Sequence, residues 1–277
     1  STTTEKITFP NGEVRILHTQ KIRFSNAQDE DFILGISRDV TEKENFIGQL
    51  SDSNEELERF AYVCSHDLQE PLRMITSFSE KLKLHFADIV KDDKKAQEYL
   101  YFVTDGAKRA QELILDILEY SKIENETDKT VEVNLSHLLT QVKTNLEVAL
   151  QESDGILKYE NVPNINGNKT QIFQLFQNLI NNGLKYRKSD TSPIIKIKSE
   201  DKGSHWKFSI IDNGLGIAEK NLHKIFDVFQ RLHSKSKYQG TGIGLAICKK
   251  IVERHNGKIW AESKLGEGST FHFTISK

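Results

Sequence analysis

The segment Gln177-Asn178-Leu179-Ile180-Asn181-Asn182-Gly183-Leu184-Lys185-Tyr186 reads as a helix with an asparagine-rich polar face. Asn178 and Asn182 stand four residues apart and so face the same way, with Lys185 about one turn further on. Asparagine is a poor interior helix former, so three within five residues call for a reason beyond propensity. Amide oxygens suit a hard divalent cation and an ammonium suits phosphate oxygens, which are the needs of a nucleotide site. The bland alternative is an amphipathic helix whose polar face happens to be asparagine-rich. Two glycine-rich loops flank the same region. Asp212-Asn213-Gly214-Leu215-Gly216 follows a predicted strand, and Gly240-Thr241-Gly242-Ile243-Gly244 opens a predicted helix. Glycines before a helix let backbone N–H groups approach a phosphate at the positive helix end. Either loop alone is more often a simple turn.

Around this nucleus the texture is mixed. Strands are predicted near Thr130–Asn134, Ile156–Tyr159, Ile194–Ser199, Trp206–Ile211, Lys258–Ser263 and Ser269–Ile275. Helices are predicted over Ser136–Leu150, Lys169–Arg187 and Thr241–His255. That order implies an α+β sandwich with helices on one face of a mostly antiparallel sheet.

Upstream the period is helical. Phe46, Leu50, Ser53, Leu57, Phe60 and Cys64 follow a 4-3-4-3-4 spacing, and the pattern continues through Leu68, Met74, Ile75, Phe78 and Leu82, with Pro71 as an expected kink. A second seam runs Tyr99, Val103, Gly106, Ala110, Leu113, Ile117, Tyr120, after the charged, turn-like stretch Asp88–Lys95. Two long helices with one apolar stripe make an antiparallel hairpin that two copies would bury as a four-helix bundle, so a homodimer is expected. Between Thr8 and Val40 the pattern has period two and reads as about three antiparallel strands, too few to bury a core.

Composition agrees with this division. The 277 residues allow two domains, or one with appendages. Lys and Arg (38) nearly cancel Asp and Glu (40), leaving a net charge of −2, so no general basic field exists to collect nucleic acid or an anionic membrane. The apolar share of 37% suits long helices that bury only a stripe. Cys64 and Cys248 make no disulfide framework or metal spacing. No apolar run is long enough to span a membrane, and the only methionine is Met74. The chain therefore reads as a cytoplasmic fragment of a longer protein, itself either soluble or membrane-anchored.

The remaining element is Ser65-His66-Asp67-Leu68-Gln69-Glu70-Pro71-Leu72, on the first long helix. His66 sits just off the apolar seam beside a carboxylate that could hold one ring proton and leave the other nitrogen nucleophilic. A lone surface histidine is usually inert. The order of this stretch, the Asn178–Tyr186 helix, the Asp212–Gly216 loop, Phe226-Asp227-Val228-Phe229 and the Gly240–Leu245 loop resembles the H, N, G1, F and G2 boxes of the sensor histidine kinases of two-component systems, over about residues 42–277. The wording around His66 is similar to the PAS-linked, phytochrome-like branch. The strands ending in Gly35-Ile36-Ser37-Arg38-Asp39-Val40-Thr41-Glu42 resemble the end of a PAS domain whose remainder would precede Ser1.

The resemblance implies three parts. Residues 1–41 would be the C-terminal strands of a truncated PAS-type sensor domain, 42–127 a dimerising phosphotransfer hairpin, and 128–277 an ATP-binding domain of the GHKL (Bergerat) fold. It implies ATP and Mg²⁺ as cofactors, autophosphorylation of His66 with Asp67 orienting the ring, and transfer to an Asp of a response regulator. Asn182, supported by Asn178, would hold Mg²⁺. Lys185 would neutralise phosphate, and Tyr186 would pack near the nucleotide. Asp212 would accept from the adenine amino group, with Gly214, Gly216 and Ile217 beside it. Phe229 and Arg231 would border a mobile lid running to Gln239, with Arg231 reaching the γ-phosphate. Gly240, Thr241, Gly242, Ile243, Gly244 and Leu245 would hold the triphosphate. The response regulator would dock around Arg73–Lys83. Glu70 stands where relatives with phosphatase activity carry Thr or Asn, which implies weak phosphatase activity. The competing readings are a nucleotide-binding pseudokinase scaffold and a gyrase-like ATPase clamp. The clamp is disfavoured because no glutamate lies between Gln171 and Arg187 to activate water.

Overall fold

The computed structural model describes residues 2–10, 12–25, 29, 31–86, 93–125, 130–232 and 240–277; the side chains of 50–67 and 124–125 lie outside that description. The chain divides into two compact units, Ser1–Phe60 and Ala61–Lys277.

The first unit holds an antiparallel sheet of β1 (Thr2–Thr8), β2 (Val14–Ser25) and β3 (Asp31–Asp39), in that order. The first strand precedes the stretch where alternation is visible, because TTTEKIT is extended through β-branched threonines and carries a single apolar residue, Ile7. Phe24 and Phe32 stack at 5.6 Å across β2 and β3. Ile22, Phe24, Phe32, Ile33, Leu34 and Ile36 are nevertheless exposed, as expected for three strands without a covering layer.

Helix α1 (Thr41–His85) begins in this unit and continues into the second. It runs unbroken through Pro71, which gives up one backbone bond without ending the helix. Helix α2 (Lys94–Asn125) returns alongside it, and Glu80 and Lys108 join the two through a 2.8 Å ion pair. The seam read along α2 divides in two. Tyr99 and Val103 are exposed, whereas Leu113, Ile117 and Tyr120 pack against the α+β core and Ile123 is buried within it. Periodicity identifies an apolar stripe but not what covers each part of it.

The sandwich comprises β4 (Val131–Asn134), α3 (Leu135–Asn145), α4 (Glu147–Glu152), β5 (Ile156–Tyr159), β6 (Asn164–Gly167), α5 (Lys169–Lys185), β7 (Ile194–Asp201), β8 (His205–Asp212), α6 (Gly244–Arg254), β9 (Ile259–Lys264) and β10 (Gly268–Ser276). Five strands pair in the order β5-β7-β8-β10-β9, parallel only at β5 and β7, while β4 and β6 form a separate antiparallel pair. Alternation sets the faces. Ile195 and Ile197 turn into the core while Lys196 and Lys198 face outward. Phe176 of α5 meets Phe208 and Phe273 edge-on at 5.7 and 5.5 Å, locking helix to sheet.

Two departures from the sequence pattern have local causes. The helix expected over Ser136–Leu150 is broken at Leu146 (φ −98°, ψ 10°), which lets both Leu146 and Leu150 reach the core. Strand β6 was hidden because Asn-Ile-Asn-Gly carries one apolar residue and turn-like neighbours.

Candidate nucleotide-binding site

Helix α5 starts where Asn168 accepts from the amides of Thr170 and Gln171 at 3.0 and 3.2 Å. The same residue ties α5 to the end of α6. Its amide donates to His255 Nε2 at 3.1 Å, while His255 Nδ1 donates to the Ile251 carbonyl at 2.8 Å. At its other end α5 comes close to the sheet. A side chain on Gly183 would lie 3.0 Å from Ile195 and 3.4 Å from Asp212. That close approach brings Asn182 and Tyr186 to the end of β8, where the Tyr186 carbonyl accepts from the Leu215 amide at 2.9 Å.

Asp212 ends β8 and is largely buried. Its Oδ1 accepts from the Gly214 amide at 2.8 Å and the Ser269 amide at 3.2 Å. Neither bond uses Oδ2. Burial pushes its pKa upward against the pull of those two amides. Gly216 holds the turn that follows in the left-handed region (φ +69°), where a Cβ would run into the Lys264 carbonyl. The Ile217 amide is fixed by Ser263 Oγ at 2.7 Å.

A cavity of about 80 Å³ opens beside these groups, with Asp212, Leu215, Ile217, Ile225, Leu245 and Phe271 in its walls. A second, of about 250 Å³, is lined by Asn178, Asn182, Lys185, Gly240, Thr241 and Gly242, together with Asp116 and Glu119 of α2. Asn182, Tyr186, Ile225, Gln230 and Leu245 border both, so they are adjoining compartments of one cleft, one apolar with a single carboxylate and one polar. Lys185 Nζ lies 4.9 Å from the centroid of the Tyr186 ring and against Gly240. Asn178 Nδ2 donates to the Gly244 carbonyl at 3.4 Å. Helix α6 begins only at Gly244, so Gly240–Ile243 remain loop at its N-terminal end, and among the described residues no side chain caps it. Such an uncapped start leaves amides available to an anion.

Most residues expected from the sequence line this cleft, and three do not. Gly214 supports Asp212 through its amide. Ile243 is fully buried in the core. Phe229 is 57% exposed at φ +64°, in the turn that leads Gln230 and Arg231 to the apolar compartment. His66 and Asp67 lie on α1, but their side chains are outside the described residues, as are lid residues 233–239. Sequence reasoning missed Ser269 and Phe271, because a strand's alternation gives a face but no position along it. It also missed Asp116 and Glu119, which read as ordinary polar positions of a helix. Cys248 is buried with its thiol pushed up to about 12 by burial, which makes it inert as a nucleophile.

Comparison with known proteins accords with this geometry. Residues 56–126 match the His Kinase A (phospho-acceptor) domain, and residues 167–277 match the histidine kinase-, DNA gyrase B- and HSP90-like ATPase family. The chain belongs to the sensor histidine kinases. It is 41% identical over 240 residues to cyanobacterial phytochrome A of Nostoc sp., covering 87% of this chain and 31% of that protein. It is 39% identical over 240 residues to the phytochrome-like protein Cph1 of Synechocystis sp., covering 87% and 32%. The chain thus spans about a third of the length of these relatives. Histidine kinase ThkA, solved in complex with response regulator protein TrrA, shares the fold, with a TM-score of 0.56 at 23% identity over all of this chain and 78% of that one. Among the described residues, no helix of this sensor histidine kinase is long and apolar enough to cross a membrane.

Proposed function

We propose that the chain is the kinase portion of a two-component sensor, an ATP-dependent protein-histidine kinase that phosphorylates its own His66 and passes the phosphoryl group to an Asp of a response regulator. The observation that carries this reading is the cleft of two unlike compartments in the same chain as a phosphoacceptor-type helix. The apolar compartment with Asp212 suits adenine, whose amino group would donate to the carboxylate, with Gly216, Ile217 and Tyr186 around the base. The polar compartment suits the triphosphate, with Lys185 and the loop Gly240–Gly244 as its cradle and Arg231 as a further phosphate contact. The amide side chains of Asn178 and Asn182, one turn apart, suit a hard divalent ion that keeps phosphate and water ligands, and Mg²⁺ would there neutralise phosphate charge. With His66 neutral and oriented by Asp67, an imidazole nitrogen would attack the γ-phosphorus. The bond to the β-phosphate oxygen breaks, an N–P bond forms, ADP leaves and the ring loses a proton.

The division into a truncated sensor domain (1–41), a dimerising hairpin (42–127) and a catalytic domain (128–277) belongs to the same reading. So does a receiver domain docking around Arg73–Lys83; that a kinase of this fold can form a complex with a response regulator is seen for ThkA with TrrA. Incubation with γ-labelled ATP and Mg²⁺ tests the reading. Acid-labile, alkali-stable label is expected on the wild type and on neither His66→Ala nor Asn182→Ala. Nucleotide binding without any label would make the protein a scaffold instead.

A further inference from the structure

The polar compartment contains two groups that a triphosphate site should not want. Asp116 and Glu119 enter it from α2, and among its described lining residues they are the acids while Lys185 is the cation. Asp116 accepts a hydrogen bond from Thr241 Oγ1, in the middle of the glycine loop. Glu119 Oε2 accepts from Gln174 Nε2 of α5 at 2.7 Å, and Lys250 Nζ of α6 lies 4.4 Å from the centroid of the Tyr120 ring. These polar contacts continue an apolar seal, since Leu113, Ile117 and Tyr120 pack on the core and Ile123 is inside it. Burial raises the pKa of both carboxylates, and Asp116 adds to the rise of Glu119, so the compartment already disfavours negative charge.

A triphosphate seated on Gly240–Gly244 would bring several further negative charges into the same partly dry space. A hydroxyl has a single proton to donate, so Thr241 cannot serve both Asp116 and a phosphate oxygen. We propose that α2 is a competitive occupant of the triphosphate compartment: Asp116 holds the glycine loop and Glu119 ties α2 to α5 beside it, and ATP binding and release of α2 are two sides of one equilibrium. The proposal rests on the reading of Gly240–Gly244 as the triphosphate loop. Linkage makes the coupling reciprocal, so whatever loosens α2 tightens triphosphate binding, and the triphosphate loosens α2 by the same factor. The coupling follows the charge of the ligand. Adenosine, which reaches only the apolar compartment, leaves α2 in place.

The experiment compares binding of the Mg²⁺ complex of a non-hydrolysable ATP analogue, of Mg²⁺–ADP and of adenosine to the wild type, Asp116→Asn, Glu119→Gln and Asn182→Ala, by calorimetry. Removing either carboxylate is expected to tighten the analogue by about five- to tenfold, the lower end of ordinary coupling energies, with a smaller gain for ADP and none for adenosine. Hydrogen exchange over residues 113–123 of the wild type is expected to rise with the analogue and stay unchanged with adenosine. Unchanged or weaker analogue binding in both carboxylate variants, or exchange indifferent to the analogue, overturns the interlock. If instead the wild type binds the analogue and adenosine equally and Asn182→Ala changes nothing, the loop assignment itself has failed.

Discussion

At Asp212 two requirements pull in opposite directions. Burial near Phe271 and Leu215 penalises a charge, whereas the proposed adenine contact would use that charge to accept a hydrogen from the amino group. Asp212→Asn keeps an Oδ1 for the amides of Gly214 and Ser269 but removes the charge. The nucleotide-free variant is therefore expected to melt at a higher temperature than the wild type, while its ATP affinity falls at least about tenfold, the scale of a lost bond to a charged group. The pH dependence has a definite sign. A carboxyl whose folded pKa lies above the usual 3.8 takes up its proton in the folded state first. As the pH falls through that raised value, the buried charge is relieved and the fold gains stability relative to the unfolded chain. The melting advantage of Asp212→Asn should thus shrink on acidification, and wild-type ATP affinity should decline over the same interval. Scanning calorimetry and titrations across a pH series check both. Asp212 was legible in the sequence because a carboxylate opening a glycine loop after a strand is a compact local signal. Asp116 was not, because its meaning depends on Thr241, 125 residues away.

Helices α5 and α6 form the frame of the cleft, and the segments that join β8 to α6 close it. Gly216 is the least replaceable position of the turn that follows β8. Alanine there meets both an unfavourable φ and the Lys264 carbonyl, so Gly216→Ala is expected to cost about 2 kcal/mol or more and to lose nucleotide binding with it, read from chemical denaturation and calorimetry. The end of α2 belongs energetically to the sandwich. Ile123→Ala, at a position 3% exposed, is expected to destabilise the α+β unit by about 2–5 kcal/mol. The long helices and central strands were readable because each repeats one period over many residues. The short β6, the break at Leu146 and the delayed start of α6 at Gly244 were not, since tertiary packing decides single-residue boundaries.

For the molecule as a whole, the hairpin leaves an apolar surface that one copy does not cover. Leu68, Ile75, Phe78 and Leu82 of α1 and Tyr99, Phe102 and Val103 of α2 are all exposed. A second copy of the phosphoacceptor domain is the expected cover. Joint replacement Phe78→Glu with Phe102→Glu should shift the mass measured by light scattering from dimer to monomer. Nucleotide affinity should stay within about twofold of the wild type, because both positions lie outside the cleft. The unequal halves of that cleft also bear on inhibition. A small, phosphate-free molecule filling only the 80 Å³ apolar compartment would compete with ATP without entering the carboxylate-lined space. On the proposed competition between α2 and the triphosphate, such a compound should leave Asp116 seated on Thr241, whereas a phosphate mimic of equal affinity should displace it.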